Sequence, residues 1–265
     1  MGQLEPVAAG VYAWLSDRAD SGHPNAGVVV EGDGATVIDT LTGGEPTIEF
    51  TEAIAGLDVV VRRVVVTSSH IEYSGGTRAF SAASVHGSEQ ASALLDQDPA
   101  PHVYRAMFPD IAVRFPDDMR TRPVTHIVAQ PVQLTPAVAA IPMSGHQHQN
   151  LVVAVPGAGV VFAGAMASFG VVPLGFEMYP GAWIDSLETI RPMGDLIIPG
   201  HGQPGADPEL NDFSTYLNAC DTGAAHGWAE HPGAHWDPVN RERSRLLRSG
   251  VDEVPTILLD MLGLG

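Results

Sequence analysis

The sequence contains no lysine, and all thirteen of its basic residues are arginines. Schiff-base chemistry on a lysine side chain and the lysine of a phosphate-binding loop are therefore excluded. Thirty-one acidic residues give a formal net charge of −18, and a field of that sign repels nucleic-acid phosphates and anionic membrane surfaces. We expect a small-molecule substrate and neither a nucleic acid nor a membrane as partner.

Cysteine and long apolar segments are also scarce. The single cysteine, Cys220, excludes a disulfide within the chain and a zinc site built from several cysteines. The N-terminal MGQLEPVAAG lacks the basic and apolar regions of a secretion signal, and no apolar run approaches the roughly 20 residues needed to span a bilayer. These features predict a cytoplasmic protein and leave its oligomeric state open.

Short β-rich runs separated by turn residues dominate the first third of the chain. GVYAWL, AGVVVEG, GATVIDT and VVVRRVVVT predict strands, and the segment between residues 39 and 59 has helical spacing. The second half also combines short β-rich runs with a helix: AVAAIPM, NLVVAVPG, GVVFAGA and DLIIPG predict strands, and AWIDSLETI predicts a helix. We interpret residues 1–265 as one large domain, a two-sheet sandwich with outer helices.

Three segments fall outside this regular pattern. Residues 98–122 are rich in proline and predict either a long surface loop or a short helical insert that forms a pocket wall. FGVVPLGFEMYPGAW, residues 169–183, is consistent with an apolar pocket surface or with ordinary core packing. From residue 207 onward the sequence predicts a tail of two or three helices.

Three histidines follow predicted strands and lie close to glycine. They are His70 in VVVTSSHIEYSGG, His146 in IPMSGHQHQNLVV and His201 in LIIPGHGQPG. Side chains at the ends of separate strands can converge on one rim, and imidazoles that converge with a carboxylate are common ligands of zinc or iron. A single histidine of this kind is more often an ordinary loop residue, but three in the same setting favour a site.

At this point the chain resembles the metallo-β-lactamase superfamily, from about residue 25 to residue 204. The matching blocks are VIDT with Asp39, TSSHIEYSGG, GHQHQNLVV with His146, FAGAMAS, and PGHG with His201. The resemblance implies an α/β fold, the four-layer αββα sandwich of the metallo-β-lactamase type. It also implies that Asp39 orients the metal-binding loop, although a strand-end carboxylate that caps the following turn is an equal alternative.

The chain departs from the family pattern at the metal ligands. Family members have histidines at the positions of Ser68, His70 and Tyr73, an aspartate at Glu72 and a metal-bridging aspartate at Ala165. Only His70 is unchanged, and Glu72 keeps a carboxylate on a longer side chain. Each of the two family metals would retain two ligands and no bridge, so a two-metal site is not expected here.

The leading hypothesis is one Zn²⁺ or Fe²⁺ ion per chain in an atypical mononuclear site. Its ligands would be His70, Glu72, His146 and His201. A metal-bound water would attack a small ester, lactone, thioester or amide, and Tyr73 or His148 would donate a hydrogen bond to the developing oxyanion. His148 is two residues from His146, so in an extended segment both would face the same side; a surface loop histidine is the alternative.

Two further hypotheses use the same pocket without a metal. In the first, the protein is a lyase, cyclase or isomerase with Glu72 or a histidine as general base and Tyr73 as acid. In the second, it is a catalytically inactive binding protein. The sequence identifies neither the substrate nor the presence of a metal.

Overall fold

The structure, a computed structural model, describes residues 2–97 and 99–265. Met1, the first residue of the predicted domain, and Asp98, the first residue of the predicted insert, lie outside the described residues. The strands are β1 (Gln3–Ala8), β2 (Val11–Leu15), β3 (Ala26–Glu31), β4 (Gly34–Ile38), β5 (Val60–Val65), β6 (Ser84–Gly87), β7 (His126–Ile127), β8 (Val132–Gln133), β9 (Ala139–Met143), β10 (Asn150–Val155), β11 (Val160–Ser168) and β12 (Leu196–His201).

Helices connect some of these strands and make up most of the C-terminal part of the chain. The α-helices are α1 (Glu45–Ala55), α2 (Ile71–Ser74), α3 (Glu89–Leu95), α4 (Pro101–Met107), α5 (Pro180–Ile190), α6 (Asp207–Thr222), α7 (Asp237–Arg248) and α8 (Thr256–Met261). Short 3₁₀ helices span Thr77–Phe80, Pro109–Arg114, Pro156–Ala158, Arg191–Met193, Gly227–Glu230 and Ala234–Trp236. In the described chain, no helix is both long enough and apolar enough to cross a membrane.

The strands form two sheets. One has seven strands in the order β1-β2-β3-β4-β5-β6-β7, antiparallel up to β4 and parallel from β4 to β7. The other has five strands in the order β12-β11-β10-β9-β8, in which only the β11–β12 pair is parallel. Parallel pairs need crossover connections, and α1 and α5 supply two of them.

Three apolar layers hold the sheets and helices together. Along β10, Val153 faces the layer between the two sheets, whereas Val152 faces the layer that contains α5 and α6. On the other sheet, Val65 of β5 faces the layer between the sheets and Val64 faces the layer that contains α1. Because both faces of β10 and of the second half of β5 are buried, these stretches are almost continuously apolar. The predicted αββα sandwich is confirmed.

The three segments outside the regular sequence pattern form helices or core in the structure. Residues 99–122 contain α4 and the 3₁₀ helix Pro109–Arg114, and the chain from residue 207 forms α6, α7 and α8. Most of the 169–183 segment is core, including Val172 and Met178, which are fully buried. Strand β1, at the edge of the larger sheet, had no counterpart in the sequence interpretation.

Candidate active site

The predicted site histidines come together at one edge of the sandwich. His70 follows β5, His201 ends β12, and His146 lies in the connection between β9 and β10. Since β10 is antiparallel to β11, and β11 is parallel to β12, the start of β10 lies at the same edge as the end of β12. The ring centroids of His70 and His146 are 4.5 Å apart, and the Tyr73 ring lies 6.2 Å from His146 and 5.9 Å from His201.

Glu72 pairs with His201 in the interior. The Nε2 atom of His201 lies 3.1 Å from Oε1 of Glu72, and both side chains are 3% exposed. Burial by itself raises the pKa of Glu72, but the hydrogen bond to His201 and the electrostatic effect of the surrounding histidines outweigh it, so the pKa is lowered. The pair therefore consists of an ionised carboxylate that accepts the Nε2–H of His201.

A second histidine–carboxylate pair forms at the outer side of the site. The Nε2 atom of His70 lies 2.9 Å from Oε2 of Glu177, and the His70 ring stacks on Phe176 at 5.0 Å with an interplanar angle of 2°. Burial is the largest single effect and opposes ionisation of Glu177, but the hydrogen bonds from His70 and Gln147 and the electrostatic effect of the neighbouring histidines together lower its pKa to about 2. The ionised carboxylate and the stacked phenyl ring together fix the orientation of the His70 imidazole.

Gln147 connects this second pair to the loop after β5. Its fully buried side chain donates from Nε2 to Oε2 of Glu177 at 2.7 Å. Its Oε1 atom accepts a hydrogen bond from the Ser68 hydroxyl at 2.6 Å. The space beside Ser68, where the family places a histidine, is thus occupied by an amide that is already hydrogen bonded.

Tyr73 and His146 fill the space between the two pairs. The Tyr73 side chain is 2% exposed, and a Cβ atom at Gly200 would lie 2.5 Å from its hydroxyl oxygen. Burial, with the neighbouring carboxylates of Glu72 and Asp39, raises the pKa of Tyr73 well above its ordinary value, so the phenol stays protonated. Burial lowers the pKa of His146 to about 3, which keeps its imidazole neutral beside His70.

Asp39 supports the loop from below. It has a positive φ of 59°, and its two carboxyl oxygens contact the Thr67 backbone nitrogen and hydroxyl, each at 2.7 Å. Complete burial raises the pKa of Asp39 to about 8, against the opposing effect of these two contacts. Asp39 therefore fixes the point where β5 turns into the loop that carries His70.

A cavity of about 290 Å³ opens beside the His70–Glu177 pair. Its polar end is formed by Ser69, His70, Glu72, Gln147 and Glu177. Its apolar wall includes Val103, Tyr104, Met107 and Phe108 from the 99–122 segment and Phe176 from the 169–183 segment. The cavity thus joins titratable groups to an apolar surface, as is typical of small-molecule sites.

The structure does not bring His148 into this cavity. Its side chain is exposed and packs against Tyr179, with ring centroids 5.7 Å apart. The prediction that His146 and His148 face the same side assumed an extended segment, but residues 145–149 form bends. His146 and Gln147 are consequently both buried while His148 points outward. Tyr73 does not line the cavity either, because it is enclosed between the histidines.

The donor set does not fit a metal ion as it is arranged. Each carboxylate of the site is engaged by a different histidine, Glu72 by His201 and Glu177 by His70, and the family's bridging position is the buried Ala165. Within residues 2–97 and 99–265, no three histidine, cysteine, aspartate or glutamate side chains form a group that could hold a metal. The four predicted ligands are neighbours, but His70 pairs with Glu177, His201 pairs with Glu72, and His146 joins neither pair.

The sequence interpretation gave no role to Glu177 or Gln147. Glu177 is the only charged residue between positions 169 and 184, and a lone carboxylate in an apolar run is a signal that could have identified it. Gln147 stands between two histidines in GHQHQN. Nothing in the local sequence indicates that its side chain is buried.

Comparison with known proteins agrees with this architecture. A sequence model of the metallo-β-lactamase superfamily matches residues 19–201. Among solved structures, the mono-zinc form of FIM-1 from Pseudomonas aeruginosa is 17% identical, with 82% of this chain and 95% of that chain covered and a TM-score of 0.65. Metallo-β-lactamases from Pontibacter korlensis and Hirschia baltica are each 18% identical, with 82% of this chain and 99% and 97% of theirs covered, and TM-scores of 0.64.

The chain belongs to the metallo-β-lactamase superfamily. At 17% and 18% sequence identity, the similarity to these solved structures shows a shared fold and nothing beyond it. In this chain two histidine–carboxylate contacts, His70–Glu177 and His201–Glu72, lie at this edge of the sandwich.

Proposed function

We propose that the protein is an enzyme that moves a proton on a small organic substrate without a metal ion, as a lyase, cyclase or isomerase does. The observation that carries this proposal is the 2.9 Å contact between His70 and Glu177 at the polar end of the cavity. Superfamily membership by itself suggests a hydrolase, but the changed donor set favours acid–base chemistry over a metal-activated water.

His70 is the proposed general base. Because Glu177 is ionised, it accepts the Nε2–H of His70 and holds the ring in that tautomer. The Nδ1 atom then carries the lone pair that takes the substrate proton, and Glu177 stabilises the imidazolium that results. Gln147 is a positioning residue, since it donates to the same oxygen of Glu177.

The remaining sequence candidates have other roles in this scheme. Glu72 is held by His201 and lies deeper, so we propose that this pair fixes the electrostatics of the site and does not exchange the substrate proton. Tyr73 separates His146 from His201, and its position in the interior supports a packing role. We also propose a cytoplasmic location, on the basis of the single buried cysteine, Cys220.

The experiment is proton exchange on neutral aromatic ketones such as 2-tetralone and its homologues, in D₂O with excess EDTA, followed by NMR. We expect enzyme-catalysed exchange that falls at least a hundredfold in His70→Asn and tenfold or more in Glu177→Gln. His102→Asn, which removes an exposed histidine of α4 outside the cavity, is the matched control and should exchange at the wild-type rate. Absence of exchange across the panel, or exchange that EDTA abolishes, contradicts the proposal.

A second candidate is the mononuclear metal hydrolase with the ligands His70, Glu72, His146 and His201. One observation favours it: the buried Nδ1 atoms of His146 and His201 have no hydrogen-bond partner among the described residues. Both histidine–carboxylate contacts are made through Nε2, which leaves the Nδ1 atoms as the candidate ligand atoms. Elemental analysis of protein purified without chelator distinguishes the two candidates, because about one zinc or iron per chain that disappears in a His146→Ala, His201→Ala variant supports the hydrolase.

A further inference from the structure

Most of the cavity wall is apolar, its ionisable groups cluster around the His70–Glu177 pair, and the uncharged Gln97 and Thr121 also line it. Its apolar lining consists of Leu95, Val103, Tyr104, Met107, Phe108 and Leu174, together with Phe176, which stacks on His70. Burial of a ring or a short aliphatic chain against such an apolar surface is energetically favourable. A volume of about 290 Å³ lies at the lower end of the usual range for ligand sites, so the bound molecule is small.

Each carboxylate at the polar end already has a hydrogen-bond partner within the protein. Glu177 is paired with His70 and Glu72 with His201, at 2.9 and 3.1 Å. A ligand cation would therefore compete with a histidine for either carboxylate, and a ligand anion would face two carboxylates at short range.

The basic side chains near the cavity are turned to other partners. Arg105 of α4 donates to the Phe115 carbonyl and to Asp117, at 2.6 and 2.9 Å. Arg122 donates to the carbonyls of Phe80 and Ala83, at 2.6 and 2.8 Å. No arginine is among the described residues that line the cavity, and the chain has no lysine. Within the described part of the lining, no arginine or lysine side chain is therefore available to hold a carboxylate or phosphate group.

We infer that the cavity selects an uncharged, mainly apolar molecule with one carbonyl or hydroxyl group, and that it discriminates against anions of the same shape. The polar group lies at the end formed by His70, Gln147 and Ser69, where hydrogen-bond donors and acceptors are concentrated. The apolar part lies against α4 and Phe176. This inference rests on the proposed function for the identity of the site, and it adds the chemical class of the substrate.

The test is equilibrium binding of three probes that share a naphthalene ring: 2-acetonaphthone, which is neutral, 2-naphthoate and 2-naphthylmethylammonium. We expect 2-acetonaphthone to bind at least tenfold more tightly than either charged probe at pH 7 and low salt. Val103→Trp fills the cavity and should abolish binding. Val113→Trp, at a site in the same segment that is 91% exposed, should bind as the wild type does.

Equal or tighter binding of 2-naphthoate or of the ammonium probe overturns the inference, and so does neutral-probe binding that survives Val103→Trp. Glu177→Gln supplies a second measurement. Because it removes one negative charge, it should reduce the difference in binding affinity between 2-acetonaphthone and 2-naphthoate. Binding does not require turnover. Selective binding without proton exchange would thus refute the proposed function alone, whereas proton exchange on ketones with preferred binding of the anion would refute this inference alone.

Discussion

Replacement of Glu177 by glutamine removes one negative charge from the site and keeps the shape of the side chain. A glutamine oxygen can still accept the hydrogen bonds that Glu177 receives from His70 and Gln147. The variant therefore isolates the contribution of the charge to the free energy of unfolding. It is a sharp test because the pairing of Glu177 with His70 is the contact on which the proposed chemistry depends.

The magnitude follows from the pKa of Glu177, which falls from 4.5 to about 2 on folding. A shift of that size corresponds to about 3 kcal/mol for a fully buried group. One third of the Glu177 side chain is exposed to solvent, so we reduce the expected loss to about 1–2 kcal/mol at pH 7.

The sign of the pH dependence is fixed by the direction of the shift. A lowered pKa contributes stability above the unfolded value of 4.5, and that contribution is lost as the pH falls toward 2. Urea unfolding of the wild type and of Glu177→Gln should differ at pH 7, and the difference should shrink to roughly half by about pH 3.

Glu188→Gln is the control, because Glu188 is an exposed carboxylate paired with Arg191 and its loss should change stability little. The reasoning is refuted if Glu177→Gln is as stable as the wild type at pH 7. A loss of stability that is independent of pH would also refute it, since it would show that the charge of Glu177 is not what the site uses.

Substitutions at Asp39, Gln147, Phe162 and Gly27 test the support of the site and the core. Asp39→Asn should lower the free energy of unfolding by less than about 1 kcal/mol, whereas Asp39→Ala should lower it by about 2–3 kcal/mol because it leaves the Thr67 backbone nitrogen unpaired. Folding raises the pKa of Asp39 to about 8, so the wild type should lose stability relative to Asp39→Asn as the pH rises from about 4 to about 8. Urea titrations measure this difference. Gln147→Leu should lower the free energy of unfolding by about 2–3 kcal/mol, because Glu177 and the Ser68 hydroxyl each lose a buried partner; an unchanged denaturation midpoint would show that the amide is dispensable. Phe162→Ala should lower the free energy of unfolding by about 3–5 kcal/mol. A Cβ atom at Gly27 would lie 2.2 Å from the Phe162 ring, so Gly27→Ala should clash with that ring in the wild type. In a double-mutant cycle, Gly27→Ala should therefore destabilise the Phe162→Ala variant far less than it destabilises the wild type.

Most of the fold could be predicted from the sequence. Valine-rich runs such as VVVRRVVV and NLVVAV are typical of strands buried on both faces, and their order along the chain defines the sandwich. His70, His146 and His201 could be expected to converge because each lies next to a strand end at the same edge. Strand β1 could not be recognised in this way, since QLEPVA is largely exposed and has no apolar pattern.

The sequence by itself thus determined the layers of the sandwich and the neighbourhood of the histidines, because both follow from apolar periodicity and strand order. Only the tertiary structure decided which carboxylate meets which histidine. Glu177 reaches His70 across 107 residues, through a segment whose other members are mainly core. Bends at residues 145–149 turn Gln147 inward and His148 outward, a choice that alternation along a strand could not reveal. Those pairings arise from packing between distant segments, and the chemistry of the site depends on them.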